Sequence, residues 1–163
     1  MAKVEKSITV DVPVRTAYDQ WTQFEEFPRF MGGVESVKQL DDKRLHWCAE
    51  ILGKKKEWDA EIVEQTPDRV VSWRSTSGAP NSGTVSFTAQ GGSKTKIDLR
   101  IDFTPEDAAD KAGDLMGVLD RQVDGDLKRF KEFIEVRGAP TGAWRGEIHG
   151  GKVEEKEEEP SSR

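Results

Sequence analysis

Few side chains in this chain could carry covalent or proton-transfer chemistry. There is one cysteine, Cys48, one tyrosine, Tyr18, and two histidines, His46 and His149. Strand alternation puts His46 and Cys48 on the same outward face, where a thiol and imidazole pair would have no pocket for a substrate. No Gly-x-Ser-x-Gly turn is present, and no histidine stands beside an inward serine or cysteine. A lone cysteine and two histidines far apart in sequence make no metal-ligand set, so neither a metal nor another cofactor is expected. Asp41 with Asp42 reads as a turn, and Asp59 with Glu61 as a solvated strand face. Gly32-Gly33 and Gly91-Gly92 lack the Lys-Ser/Thr and helix of a phosphate loop. Two catalytic candidates remain. Tyr18 lies on the buried side of a short helix, where its hydroxyl could reach a ligand, although packing with a wet tip is the commoner role. Arg100 points outward by alternation and would turn inward only through a bulge.

Charge and hydropathy narrow the partners. The net charge is -6, which argues against nucleic acid or an anionic membrane as an obligate partner. No run approaches the ~20 apolar residues of a membrane-spanning helix. The first residues pass directly into a strand pattern without the roughly 7 to 15 apolar residues of a signal peptide. A cytoplasmic location is the expectation, and a single cysteine allows no intrachain disulfide.

The elements follow from periodicity. Residues 4–12 alternate and are rich in β-branched types, giving a first strand ended by Pro13. Short helices are expected at 14–21 and about 25–30, the second containing Pro28 and stopped by Gly32-Gly33. Six further strands, at 34–40, 44–51, 55–65, 69–75, 83–90 and 94–103, are separated by turn chemistry such as Thr66-Pro67-Asp68 and Gly91-Gly92. A long helix at 113–137 carries Met116, Leu119, Val123, Leu127, Phe130 and Ile134 at steps of three or four, one apolar stripe. Gly117 and Gly125 interrupt it, as a close approach of helix to sheet would require. The order is that of an α+β fold in which a curved antiparallel sheet of seven strands wraps the C-terminal helix.

Read at period two, the strands have one apolar face and one wet face. Trp47, Trp58, Trp73, Phe87, Leu99 and Phe103 fall on the apolar side, and the large rings alternate with Ala49, Ala60, Ser75 and Ala89. Simple packing against the long helix is one reading. A single helix cannot cover seven strands, however, and this favours a cavity for an apolar small molecule, walled also by Met116, Leu119, Val123 and Leu127. Trp21, Phe27, Phe30 and Met31 are further cavity residues, and the segment Phe24, Phe27, Phe30, Met31 and Gly32-Gly33 suits a portal or lid, or else a plain hydrophobic staple.

After residue 137 the composition turns to Gly, Pro and Thr and then to Glu154-Glu155-Lys156-Glu157-Glu158-Glu159. Such a stretch buries too little surface to order itself, so 1–137 is expected to be the domain and 138–163 a flexible, disordered acidic tail. Trp144 and Ile148 stand out within it. Two readings stay open, an idle linker and a segment that docks on its own domain or on a protein partner.

A family resemblance covers residues 3 to 137. Ile8-Thr9-Val10-Asp11-Val12-Pro13-Val14 with Ala17-Tyr18 and Trp21, then Phe24-Glu25-Glu26-Phe27-Pro28-Arg29-Phe30-Met31 and Val34-Glu35-Ser36-Val37, carry it. Leu45-His46-Trp47, Trp58-Asp59-Ala60-Glu61-Ile62, Trp73-Arg74-Ser75 and Leu127-Lys128-Arg129-Phe130-Lys131 add to it. Together they resemble the polyketide cyclase/dehydrase and coenzyme Q-binding branch of the START-like (SRPBCC) superfamily. The resemblance implies a helix-grip fold around a deep apolar cavity, in a family of aromatic polyketide cyclases and of quinone or lipid carriers. Family cyclases use a few polar groups inside the cavity, and no such set is matched here. The expectation is therefore binding or carriage of a lipid, quinone or polyketide-like molecule, with cyclase/dehydratase activity and a tail-based stress or adaptor role as alternatives.

Overall fold

The computed structural model describes residues 2–51, 53–78, 80–103 and 112–154. Strand β1 (Ala2–Val10) ends before Pro13, whose fixed backbone leads into helix α1 (Val14–Trp21). A 3-10 helix, Phe24–Arg29, follows, with Pro28 inside it. Strands β2 (Val34–Gln39), β3 (Arg44–Ile51), β4 (Lys54–Thr66), β5 (Val70–Gly78), β6 (Asn81–Ala89) and β7 (Thr95–Phe103) come next, and then the long helix α2 (Ala112–Arg137). The strands lie in the order β1-β7-β6-β5-β4-β3-β2, with antiparallel neighbours throughout. This is the helix-grip α+β arrangement: one antiparallel sheet and a long C-terminal helix whose Val123, Leu127, Phe130 and Ile134 are buried in the core.

Register decides which side chains meet. β3 and β4 pair so that Trp47 stands directly opposite Trp58. β5 and β6 put Trp73 opposite Gly83, where a Cβ would collide with the Trp73 ring, so glycine makes room for the indole. Bulges between Asp59 and Ala60 and between Ile62 and Glu64 shift β4 against β5, the kind of irregularity that sharpens bending and twist. The two helix glycines act otherwise than expected. The first side chains that a Cβ would meet at Gly117 and Gly125 are those of Arg121 and Arg129, not the sheet, so the expected close approach is not their reason.

The chain after α2 departs most from expectation. Instead of a flexible tail, residues 139–154 lie on the domain and add two strands to the sheet, β8 (Glu147–His149) and β9 (Lys152–Glu154). β8 pairs with β4 at Glu64 and Gln65, beyond the point where β3 begins opposite Glu61. Ile148 is fully buried, and Trp144 packs against the core. The cause is polar as much as apolar. α1 buries Asp19 and Gln20, and burying such groups without partners is costly. The C-terminal segment supplies those partners. Arg145 reaches Asp19 at 2.5 Å and Asp68 at 2.8 Å, Gln20 exchanges hydrogen bonds with Thr141, and the Trp144 N–H donates to Thr22 Oγ1. On the other side, Lys43 Nζ donates to the Gly151 carbonyl at 2.6 Å and pairs with Glu61 at 3.0 Å. Among the described residues, no helix is long and apolar enough to cross a membrane.

Truncating the buried end of this segment should therefore act as a core mutation. Ile148→Ala is expected to cost about 2–5 kcal/mol of unfolding free energy, measured by urea denaturation. Leu40→Ala, at a 52% exposed position, should stay within about 0.5 kcal/mol of wild type. Equal values for the two would mean that the segment is not part of the cooperative unit.

Candidate functional site

Between the concave face of the sheet and α2 lies a cavity of about 200 Å³. Trp47 and Trp58 line one wall as a stacked pair: their rings are parallel to within 7°, with centroids 5.7 Å apart. Trp73 continues this wall from β5, its Nε1–H donating to Asn81 Oδ1 at 3.0 Å. The base is a chain of edge-on and tilted rings, in which Trp21 meets Phe27 at 5.4 Å and Phe27 meets Trp47 at 5.6 Å. β7 contributes Leu99, Ile101 and Phe103, and α2 contributes Leu119, Val123 and Leu127. Met31, Gly33 and Val34 line it from the segment after the 3-10 helix.

Most of the residues placed on this wall by sequence meet here: Trp21, Phe27, Met31, Trp47, Trp58, Trp73, Leu99, Phe103, Leu119, Val123 and Leu127 all line the cavity. Two do not. Phe30 turns into the core against Phe130 and Phe133, at 5.2 and 5.4 Å. Phe87 is buried against Tyr18 and Trp21, at 5.4 and 6.2 Å. Period-two alternation gives the face on which Phe87 stands but not its place along the sheet, which α1 covers there, and Phe30, at the end of the 3-10 helix, lies against α2. The Met116 side chain falls outside the described residues.

The two catalytic candidates are displaced from the cavity. Tyr18 is fully buried under α1, where its hydroxyl accepts from Gln65 Nε2 at 3.0 Å and Arg145 lies over its ring. Burial pushes its pKa up to about 12, so the phenol holds its proton. β7 runs without a bulge against both neighbours. Arg100 accordingly stays on the outer face, its side chain 53% exposed and paired with Asp102 at 3.2 Å. His46 and Cys48 also take separate partners outside. His46 is held between Asp59 at 2.6 Å and Glu57 at 3.0 Å, bonds that raise its pKa, and the Cys48 thiol points to Glu35.

Sequence reasoning missed the polar side of the cavity. Asp126, Gln122 and Asn81 line it, with Glu50 and Lys56. Asp126 is 8% exposed. Its Oδ1 accepts from Arg129 at 2.6 Å, from the Gly32 N–H at 3.2 Å and from Gln122 at 3.5 Å, tying the segment after the 3-10 helix to α2. Arg129 Nε adds a bond to the Phe30 carbonyl at 2.8 Å. Burial pushes the Asp126 carboxyl above its ordinary value, against the opposing pull of Arg129. A signal was present: Asp126 stands three residues after Val123, within the apolar stripe, where a carboxylate is out of place on a plain packing face. No thiol, imidazole, phenol or hydroxyl is among the described lining side chains. The site can thus enclose an apolar body and hydrogen-bond a polar edge, with Asp126 a buried group able to hold or release a proton.

Two measurements separate packing from site roles. Tyr18→Phe should lower stability by about 1 kcal/mol, the worth of one buried hydrogen bond, seen in urea denaturation, while small-molecule binding is unchanged. Asp126 binds its proton more tightly in the folded state, so its contribution to stability falls as pH rises from 3.8, its ordinary value, through the raised value, and is constant above. Asp126→Asn lacks this term. Relative to wild type, the variant's unfolding free energy should gain with rising pH across that window and then run parallel; parallel curves throughout would show that the carboxyl is not perturbed.

Comparison with known proteins agrees with this geometry. An uncharacterized 17.2 kDa protein of Streptomyces lincolnensis is 51% identical over 149 residues, covering 91% of this chain and 99% of that protein. A protein of known structure from Deinococcus radiodurans is 28% identical, with a TM-score of 0.65, over 83% of this chain and 99% of the other. A START superfamily protein from Mycobacterium smegmatis superposes with a TM-score of 0.73 at 13% identity, over 84% and 99% of the two chains. An aromatase/cyclase from Streptomyces sp. R1128 does so with 0.71 at 18% identity, over 87% and 98%; at such identities the likeness is one of fold. The model of the family described as polyketide cyclase / dehydrase and lipid transport matches residues 10–132, and the chain belongs to that family.

Proposed function

We propose that the protein binds a small apolar ring molecule in this cavity and carries it without altering it. The observation that supports this reading is the lining itself: four indoles, Phe24, Phe27 and aliphatic residues of α2 and β7, with no thiol, imidazole or hydroxyl among the described lining side chains. Such a ligand is held by removal of apolar area from water, at about 25 cal/mol per Å², and by ring stacking on the indole wall. The volume favours a small occupant. About 200 Å³ is below the roughly 300–1,000 Å³ of sites for drug-sized molecules, which fits two or three fused rings better than a whole long-chain lipid.

A second reading, cyclisation or dehydration of a polyketide-like substrate, draws on Asp126, a buried carboxyl in the wall. Orientation within the cavity would do most of the work, with Asp126 moving a proton. The adaptor reading is the weakest of the three, because Trp144 and Ile148 are spent on the domain's own core and a partner would have to displace them.

The test uses 1-aminoanthracene, a three-ring fluorophore. It should bind one to one with enhanced, blue-shifted emission, and Leu119→Trp, which fills the cavity from α2, should weaken it by at least about tenfold. No binding to wild type, or equal binding to Leu119→Trp, would refute an internal site. Cyclising activity on a poly-β-ketone that is lost in Asp126→Asn would favour the second reading.

A further inference from the structure

We infer that Trp47 and Trp58 set the specificity of the cavity, selecting a flat ring that carries a hydrogen-bond acceptor oxygen at its edge over a hydrocarbon or an acyl chain. The inference rests on the reading of the cavity as a binding site.

Four indoles line the cavity, those of Trp21, Trp47, Trp58 and Trp73, and two of them stand apart. Trp73 donates its N–H to Asn81. The indole nitrogens of Trp47 and Trp58 are buried with no hydrogen-bond partner in the protein. A buried donor without an acceptor is costly, and nearly all such groups in folded proteins are satisfied. If the wall served only to pack or to contact hydrocarbon, phenylalanine would fill it without that cost. Two such donors on directly paired residues of adjacent strands, in rings stacked parallel to within 7°, make an aromatic pair with N–H groups in need of oxygen. Across from it, Leu119, Val123 and Leu127 of α2 are apolar, so a planar ligand can lie between an indole face and an aliphatic helix face. A carbonyl at the ligand's edge answers the donors, whereas an acyl chain or a plain aromatic hydrocarbon leaves them unpaired. Both nitrogens are covered by protein atoms, so the acceptor meets them through a small turn of each indole about its own side-chain bonds.

Fluorene and 9-fluorenone differ at one carbon, where the ketone carries oxygen. Their affinities are measured by displacement of 1-aminoanthracene from the full chain, in wild type, Trp47→Phe, Trp58→Phe and Trp73→Phe. The preference for fluorenone over fluorene should be about tenfold greater in wild type than in Trp47→Phe or Trp58→Phe. Fluorene reports what each substitution does to stacking and shape, a loss that fluorenone shares, so the ratio of the two affinities isolates the indole N–H. Trp73→Phe should shift both ligands alike and keep the preference. In wild type, independently of any substitution, fluorenone and not fluorene should shift the ultraviolet resonance Raman band that reports indole N–H hydrogen bonding. The same preference in all four proteins, or no Raman shift with fluorenone, overturns the inference and leaves the binding function standing. Failure of 1-aminoanthracene and of both tricyclic ligands to bind wild type overturns the function itself, and the inference with it.

Discussion

A curved sheet of seven main strands offers more apolar face than one helix can cover. α2 covers part of the concave side through Val123, Leu127, Phe130 and Ile134, and α1 with the 3-10 helix closes another part through Tyr18, Trp21 and Phe27. What is left over is the cavity. The rest of the structure follows from this mismatch in area: large rings gather where no backbone element reaches, because only they are long enough to narrow the gap and meet across it.

Register turns that mismatch into a shaped site. Trp47 opposite Trp58 gives a stacked indole pair, and Trp73 crosses to its neighbouring strand only because position 83 is glycine. A one-residue slip of β4 would turn the same side chains to solvent. The bonds around Asp126 then join the open side of the cavity to α2, since a single carboxylate oxygen receives Arg129, Gln122 and the Gly32 backbone. One acidic group is in this way both a structural tie and a polar feature of the apolar wall.

The C-terminal segment obeys the same accounting of buried polar groups. α1 presents Asp19 and Gln20 to the interior, and within the helix Arg15 approaches Asp19 only to 3.7 Å. Arg145 and Thr141 meet them, and Ile148 closes the remaining apolar gap beside β4. A stretch of Gly, Pro and Thr with no periodicity becomes ordered because its few informative residues have waiting partners far earlier in the chain.

The sequence by itself determined the element order, the inward face of each strand and the stripe of α2, because strand and helix periodicities are local properties of the chain. It therefore also identified most of the aromatic and aliphatic side chains that line the cavity. Only the tertiary structure decided which inward residues meet empty space and which meet another element, as Phe30 and Phe87 show by packing into the core. It alone decided that Tyr18 and Arg100 stand away from the site and that Asp126 belongs to it, and that residues 139–154 dock. The reason is common to all of these: each depends on what another segment, distant in sequence, brings alongside, and periodicity carries no information about that.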